Sequence, residues 1–585
     1  MSTDIPNQIP EKGAGRKRVI LFDKIRYTLR LLSSRERILV FFLILLGIVG
    51  FFGTLNAFNA RFSFLAPARG GTWREGIIGS PHSLNPLLAS SGADRDLISL
   101  IYSGLMRPDG KGGLVPDIAE KVDISPDGLS YIFTIKNNAE FHDGKKITAD
   151  DVIFTVNLAK NPSLKSPVRA NWEGVEMEKI DEKNVRFWLE KPYAPFLENA
   201  TLGIMPSHIW KNIKPEQMTI SDFNFSPVGS GPYMIKEVSK ESKGIISSYT
   251  LVPFRSYALG EPFIKKMIFY FYPSEVELVD AYEAGTIDAI SSISSQNIAK
   301  IQLARDDGAL KTLTLPWTFG VFFNQNEKSL FAEKEVRKAL DLAINKNKII
   351  NEVLQGYGTV LNSPIPPGIF GAIENDTDTF NTDEAKILLE KKGWKKNEEG
   401  LYQKIEKGKV IKELVFSLST SNSTELVRAA DILKQNWEEF GARVEIKVFE
   451  ESDLRQNVIR PRDYDSLLFG EIVSRDPDPF AFWHSSQRND PGLNIAMYTN
   501  RAVDKALEEA RSTIDPEERK KKYEEFQIEL AKDVPAVFLY SPYFLYIVPP
   551  QLKGSETEHI MTPAERFANV YNWHFETAYV WKIFQ

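Results

Sequence analysis

The chain has 585 residues, a formal charge of -6, 43% hydrophobic and 26% charged side chains, and no cysteine. That length is too great for one compact core and enough for two or three subdomains. The missing cysteines exclude disulfides, thiolate metal sites, cysteine nucleophiles and a lipidated N-terminal cysteine. The acidic balance gives no support to nucleic-acid binding.

The first 37 residues carry Lys12, Arg16, Lys17, Arg18, Lys24, Arg26, Arg30, Arg35 and Arg37 against Asp4, Glu11, Asp23 and Glu36. An uncharged run from Ile38 to Ala60 follows. It is long enough to cross the ~30 Å hydrocarbon core as one helix, and basic flanks are retained in the cytoplasm. Residues 1–37 therefore read as a cytoplasmic N-terminus, 38–60 as a transmembrane helix and 61–70 as a short linker. Everything beyond would be extracytoplasmic, close to the bilayer, and acidic at -11 once the +5 of the first 60 residues is set against the total. Ala66-Pro67-Ala68 has the small-residue form of a signal-peptidase site. The apolar run exceeds the roughly 7–15 residues of a signal-peptide core, so a retained anchor is expected.

From Gly71 the chain alternates β-rich runs, turns and amphipathic helices, as a mixed α/β protein does. Strands are expected at Tyr131–Ile135 and Val185–Leu189. Thr148 to Asp151 forms a helix start, with Asp151 placed to reach back to the cap. The spacing predicts a helix from Val336 to about Val353 and another from Asp383 to Lys392, ended by Gly393. Leu414–Ser419, a helix from about Ser423 to Phe440 stopped by Gly441, and Val444–Val448 make a strand–helix–strand unit of a parallel sheet. No period of 20–50 residues repeats, so a solenoid or propeller is not expected.

The search for catalytic motifs is mostly negative. There is no G-x-S-x-G and no H-E-x-x-H, and the Gly-Lys pairs at 110, 144 and 408 lack the surroundings of a phosphate loop. Six histidines, at 82, 142, 208, 484, 559 and 574, show no metal-ligand spacing. No cofactor or metal is expected, although a pair of hydrolytic carboxylates could not be located or dismissed from spacing. Ser474-Arg475-Asp476-Pro477-Asp478-Pro479 is the densest polar cluster. It reads either as a ligand-binding group of charges or as a stiff proline-broken loop. Gly229-Ser230-Gly231-Pro232-Tyr233 is a turn whose glycines would also allow close approach of a ligand.

The order of short segments is more specific than any one of them. Ser83–Pro86, Ile101–Leu105, Leu114–Glu120, Ser125–Phe133, Phe141–Gly144 and Thr148–Val152 occur in sequence, then Gly229–Tyr233 and Ala284–Asp288. Phe323-Asn324, Val336–Leu340, Ala343–Lys346, Ala385-Lys386, Gly393-Trp394, Asp478-Pro479, Tyr498 and Val503-Asp504 follow. This series, from about Gly70 to the C-terminus, resembles the extracellular solute-binding proteins of the peptide/nickel type that serve ABC importers.

The resemblance implies a two-lobed α/β fold of the type II periplasmic-binding-protein kind, with an extra inserted subdomain, behind the N-terminal transmembrane helix. Lobe I would comprise 70–312 and 540–585, with the insertion near 105–225, and lobe II 313–539. Crossovers would fall near Leu315–Thr318 and Val537–Ser541, and Trp573–Trp581 would belong to lobe I. The function implied is capture of peptides or peptide-like solutes by a monomeric, membrane-tethered, non-enzymatic receptor, for delivery to permease subunits. A nickel-chelate or other small-solute receptor on the same scaffold is the alternative, and a surface enzyme or chaperone-like module a more distant one. Cleft residues implied are Asn85, Tyr102, Tyr233, Trp317, Phe319, Ser474, Arg475, Asp476 and Trp483. Where many relatives carry an aspartate for the ligand's amine, this chain has Ser474 or Arg475, and Glu471 replaces a common tryptophan. Asp476 could take that place after a loop shift, but an arginine there would repel an ammonium and attract an anion.

Overall fold

A computed structural model describes residues 26–28, 31–241, 244–304, 308–373 and 379–581. Lys12, Arg16, Lys17, Arg18, Lys24 and Arg30 of the expected cytoplasmic segment lie outside the described residues, as do the last four residues of the chain.

The uncharged run forms one helix, Ser34–Phe62. Its stretch Ser34–Leu55, 22 residues, is long and apolar enough to cross a membrane, at a rise of 1.5 Å per residue about 33 Å. The segment expected as a linker is instead a strand, Ser63–Ala68, paired with Glu576–Trp581. Alternating side chains of Ser63–Ala68 suit an extended, paired backbone better than a free tether. The helix and most of this strand pair form one compact unit, and Arg69–Glu576 forms the other.

The larger unit is organised by a twelve-stranded mixed sheet. In chain order its strands are β1 (Gly70–Ile78), β2 (Tyr233–Lys240), β3 (Ile246–Pro253), β4 (Ile264–Tyr272), β5 (Ala289–Ser291) and β6 (Ala309–Thr314). They continue with β7 (Trp317–Phe323), β8 (Gly358–Val360), β9 (Val415–Ser421), β10 (Arg443–Phe449), β11 (Ser466–Ile472) and β12 (Ala536–Val548). The order across the sheet is β10-β9-β11-β7-β12-β5-β1-β4-β3-β2, with β6 and β8 also on β12.

The 13-residue β12 is the spine. Its first half pairs antiparallel with β7 and its second half with β5 and β6. Its side chains divide in the same way. Phe544, Tyr546 and Val548 join a core built from 73–289 and 552–573, whereas Val537, Leu539 and Tyr540 join a core built from 321–468. These two interiors, the largest of four buried clusters among the described residues, share the crossover strands and make the larger unit two-lobed.

The strand–helix–strand unit forms as its spacing predicts. β9 and β10 pair in parallel around the helix Thr424–Phe440. Gly441 ends that helix at φ 119°, where a Cβ would strain the backbone. A separate four-stranded antiparallel sheet (119–124, 130–135, 184–189, 175–179) lies inside 105–225. Asp151 Oδ2 accepts from the Thr148 backbone N–H at 2.9 Å, as a capping acid should.

One expected element divides. The helix placed over Val336 to Val353 is two, Lys334–Leu342 and Lys346–Val353. Asn345 breaks it by capping the second: its side chain accepts from the Lys348 N–H, and its own N–H donates to the Asn436 side chain at 2.9 Å. A local side-chain acceptor offers the backbone an alternative to a continuous helix.

Candidate functional site

The Ser474–Pro479 segment leaves the end of β11 and runs along the seam between the lobes. Arg475 is only 5% exposed. Its Nη2 lies 2.7 Å from Glu565 Oε2, its Nε 3.3 Å from Glu198 Oε1, and its Nη1 donates to the Gly113 carbonyl at 3.3 Å. Asp476 pairs with Arg519 at 2.8 Å, and Asp478 with Arg511 at 2.8 Å. Tyr193 donates to Asp478 at 3.4 Å, and the Tyr523 hydroxyl donates to the Pro477 carbonyl. The cluster is therefore an ordered set of ion pairs, and the Arg475 charge is already held by two carboxylates.

These carboxyls are poorly solvated. Burial pushes Glu198 up to about 7 although Arg475 pulls the other way, and pushes Asp476 up to about 6 against the pull of Arg519. Asp478 is raised for the same reason. Desolvation disfavours the charged form of an acid more than these pairs restore it.

The two ends of the Arg475–Glu565 pair line separate cavities. One, of about 390 Å³, is walled by Gly113, Tyr131 and Glu198 on one side and Phe370, Asp476 and Arg519 on the other. Arg475 also lines it. The second, of about 470 Å³, is walled by Tyr102, Arg107, Asp117, Tyr257, Glu565 and Phe567 among others. The Arg475–Glu565 pair thus joins a wall of one cavity to a wall of the other. Asp117 accepts from the Tyr257 hydroxyl at 3.2 Å, and burial raises it to about 6. The Tyr102 hydroxyl is buried with no hydrogen-bond partner among the described residues, and burial raises its ionisation above the ordinary tyrosine value.

The remaining residues expected in the cleft lie apart from these walls. Asn85 is buried, its side chain bonded to the Leu87 N–H at 2.9 Å and to Asn224 at 3.3 Å, so it shapes its own turn. Tyr233 is buried in β2, its hydroxyl donating to the Ile264 carbonyl at 3.3 Å. Trp483 is 1% exposed and packs between Phe322 and Phe538 in the core of the second lobe. These three side chains are buried and bonded or packed within the protein, away from the two cavities. Trp317 and Phe319 lie half-buried on crossover strand β7, with Phe319 stacked on Tyr540 at 5.1 Å. Ser474 is exposed beside Ile472. Gly229 and Gly231 serve packing as well as turning: a Cβ on Gly229 would lie 1.9 Å from the Ile101 carbonyl oxygen.

The family model for bacterial extracellular solute-binding proteins, family 5, matches residues 113–493. The chain belongs to this family. The oligopeptide-binding protein AppA of Bacillus subtilis (strain 168) is 30% identical over 508 residues, 85% of this chain and 91% of AppA. The dipeptide-binding protein of Escherichia coli (strain K12) is 24% identical over 81% of this chain and 90% of its own length. Among solved structures, B. subtilis AppA in complex with a nonapeptide aligns with a TM-score of 0.66 at 28% identity, covering 87% of this chain and 100% of that one. NikZ from Campylobacter jejuni in complex with Ni(L-His) aligns with a TM-score of 0.67 at 28% identity, covering 86% and 99%. The fold is accordingly that of the type II periplasmic binding proteins, and the family is one of receptors.

In this family 5 chain, several seam residues escaped the sequence reading: Glu198, Glu565, Tyr193, Arg511 and Arg519. Each is an ordinary charged or aromatic residue in its own segment, and Glu565 is 90 positions from Arg475. Nothing in local spacing marks such partners; the one available signal was that a dense Arg-Asp-Pro-Asp cluster would need counter-charges if buried.

Proposed function

We propose that the protein is a membrane-tethered, extracytoplasmic receptor that encloses peptides or peptide-like solutes between its lobes and delivers them to an ABC-type import permease. The observation that carries this reading is the cavity of about 390 Å³ at the seam, with walls from both lobes, in a chain aligned over most of its length with a nonapeptide-bound relative. A ligand touching both walls has more contacts in the closed form than in the open one, so it shifts the equilibrium toward closure. Hinge closure on two crossover strands is an established way for such a shift to be read by a partner. The role is capture, not catalysis.

Two features support the tether. The apolar helix has the length of a bilayer span, and Arg35 and Arg37 stand on its N-terminal side, where basic residues hold a segment in the cytoplasm. Holding the receptor at the membrane raises its effective concentration at a permease. The bounds proposed for the lobes are 70–312 with 540–585, and 313–539.

Native mass spectrometry of the full chain in detergent tests the ligand class. Heterogeneous short peptides carried through purification are the expected result. A nickel chelate in their place would establish the small-solute alternative, which the likeness to NikZ keeps in view. Protease treatment of spheroplasts tests the topology: the large domain should be digested from outside while an N-terminal tag survives.

A further inference from the structure

The membrane-length helix Ser34–Phe62 runs directly into strand Ser63–Ala68, which pairs with Glu576–Trp581. Both chain ends of the larger unit, at Arg69 and Glu576, thus lead into one two-stranded sheet. Its composition is unusual for a chain that is acidic beyond residue 60: Ser63–Ala68 and Thr577–Trp581 contain no charged residue. Leu65 is 57% exposed and Tyr579 63%, and Pro67, Thr577 and Ala578 are exposed as well. Two strands by themselves are marginally stable in water and gain independent stability only with further strands or a surface to pack against.

The helix sets the height of this sheet. At 1.5 Å per residue its 29 residues extend about 43 Å, which matches the roughly 40–45 Å of a bilayer with both headgroup layers. Ser63 therefore falls at the outer headgroup layer, and Leu65, two residues on, lies within about 7 Å of the helix end. Tilt of the helix brings both nearer the hydrocarbon. Tyrosine and tryptophan are the side chains enriched at that depth, where an amphipathic ring meets lipid on one side and water on the other. Tyr579 lies in the paired strand and Trp581 ends it. A lipid surface is the partner that the spanning helix itself brings to the sheet, because no residue intervenes between helix and strand.

We infer that the sheet of Ser63–Ala68 and Glu576–Trp581 is a second membrane contact, lying against the outer headgroup layer with Leu65 and Tyr579 on its lipid side. This inference rests on the tether reading above and extends it. The larger unit is then held to the bilayer through both of its chain ends, with less freedom than a single flexible linker would leave it. Two attachments place the ordering cost in the free receptor and not in each encounter with a permease.

Because the chain has no cysteine, one introduced thiol reports one position. The single variants Leu65→Cys, Tyr579→Cys and Leu45→Cys of the full chain, each carrying a nitrobenzoxadiazole label, are reconstituted in vesicles of phosphatidylcholine and phosphatidylglycerol that hold no other protein. Emission is compared between vesicles with and without lipids bearing a nitroxide, at the headgroup or at mid-chain. The labels on Leu65→Cys and Tyr579→Cys should lose about half their emission or more to the headgroup nitroxide, since interfacial segments sit roughly 5–10 Å deep. The label on Leu45→Cys, inside the span, should be quenched by the mid-chain nitroxide. No quenching there removes the tether reading, and this inference with it. Quenching at Leu45→Cys with a smaller loss than expected at the other two positions overturns this inference alone and leaves the sheet to a protein partner. Leu65 and Tyr579 are exposed and on separate strands, so each labelled chain decides by itself if the other fails to fold.

Discussion

Replacing Arg566 by methionine should substantially destabilise the first lobe. The guanidinium is 1% exposed and holds two enclosed acids. Nε and Nη2 donate to Glu75 Oε1 at 3.1 and 2.8 Å, and Nη1 and Nη2 donate to Asp96 Oδ1 and Oδ2 at 2.8 and 2.6 Å. Glu75 Oε2 also accepts from the Trp73 indole and the Tyr546 hydroxyl, each at 3.0 Å. Removing one partner of a buried pair leaves the other charge uncompensated, at about 3–5 kcal/mol. That corresponds to a change of roughly 10²- to 10³-fold or more in the folding equilibrium. Burial already pushes Glu75 upward with Arg566 present, so without Arg566 it takes up a proton, which limits the loss to the lower part of that range. The assay is calorimetry or denaturant melting of the full chain in detergent, following the transition of the larger unit, since a two-lobed protein need not unfold in one step. The triple variant Arg566→Met, Glu75→Gln, Asp96→Asn removes all three charges and should recover part of the loss. A single variant within about 1 kcal/mol of the parent, or a triple no more stable than the single, would refute the reasoning. Because Arg566 adjoins Glu565, the single variant should also loosen the Arg475 bridge.

Trp483→Ala should lower stability by about 3–5 kcal/mol through an unfilled cavity and leave peptide affinity unchanged, read by melting and by titration. Gly229→Ala should destabilise by at least about 1–3 kcal/mol, since its methyl would collide with the Ile101 carbonyl; recovery of soluble, folded protein reports it. Burial pushes Glu198 up to about 7 and Asp476 up to about 6, so the folded state binds more protons than the unfolded chain across that interval. Stability should therefore fall as pH rises from about 4 to 7, and Glu198→Gln should flatten that slope in melts taken across the range.

Much of the fold was legible because it depends on neighbours in sequence. The membrane-length helix follows from an uncharged run, the β9–helix–β10 unit from period and a stop glycine, and the capped start at Thr148 from a four-residue pattern. The family was legible because the order of many short segments carries more information than any one of them. The break at Asn345 was not, since a helix-compatible period ran through it and the deciding bond reaches Asn436.

The site belongs mainly to the tertiary structure. Sequence alone marked Ser474–Pro479 as a dense group of charges and opposite readings of it were open. Burial and partners show what the charges hold within the protein. Arg475 is paired with Glu198 and Glu565, Tyr233 and Trp483 are packed inside their lobes, and the segment expected as a linker is a strand paired with Glu576–Trp581. A residue type specifies what charge or hydrogen bond is available; only the folded chain specifies which group, hundreds of positions away, has already used it.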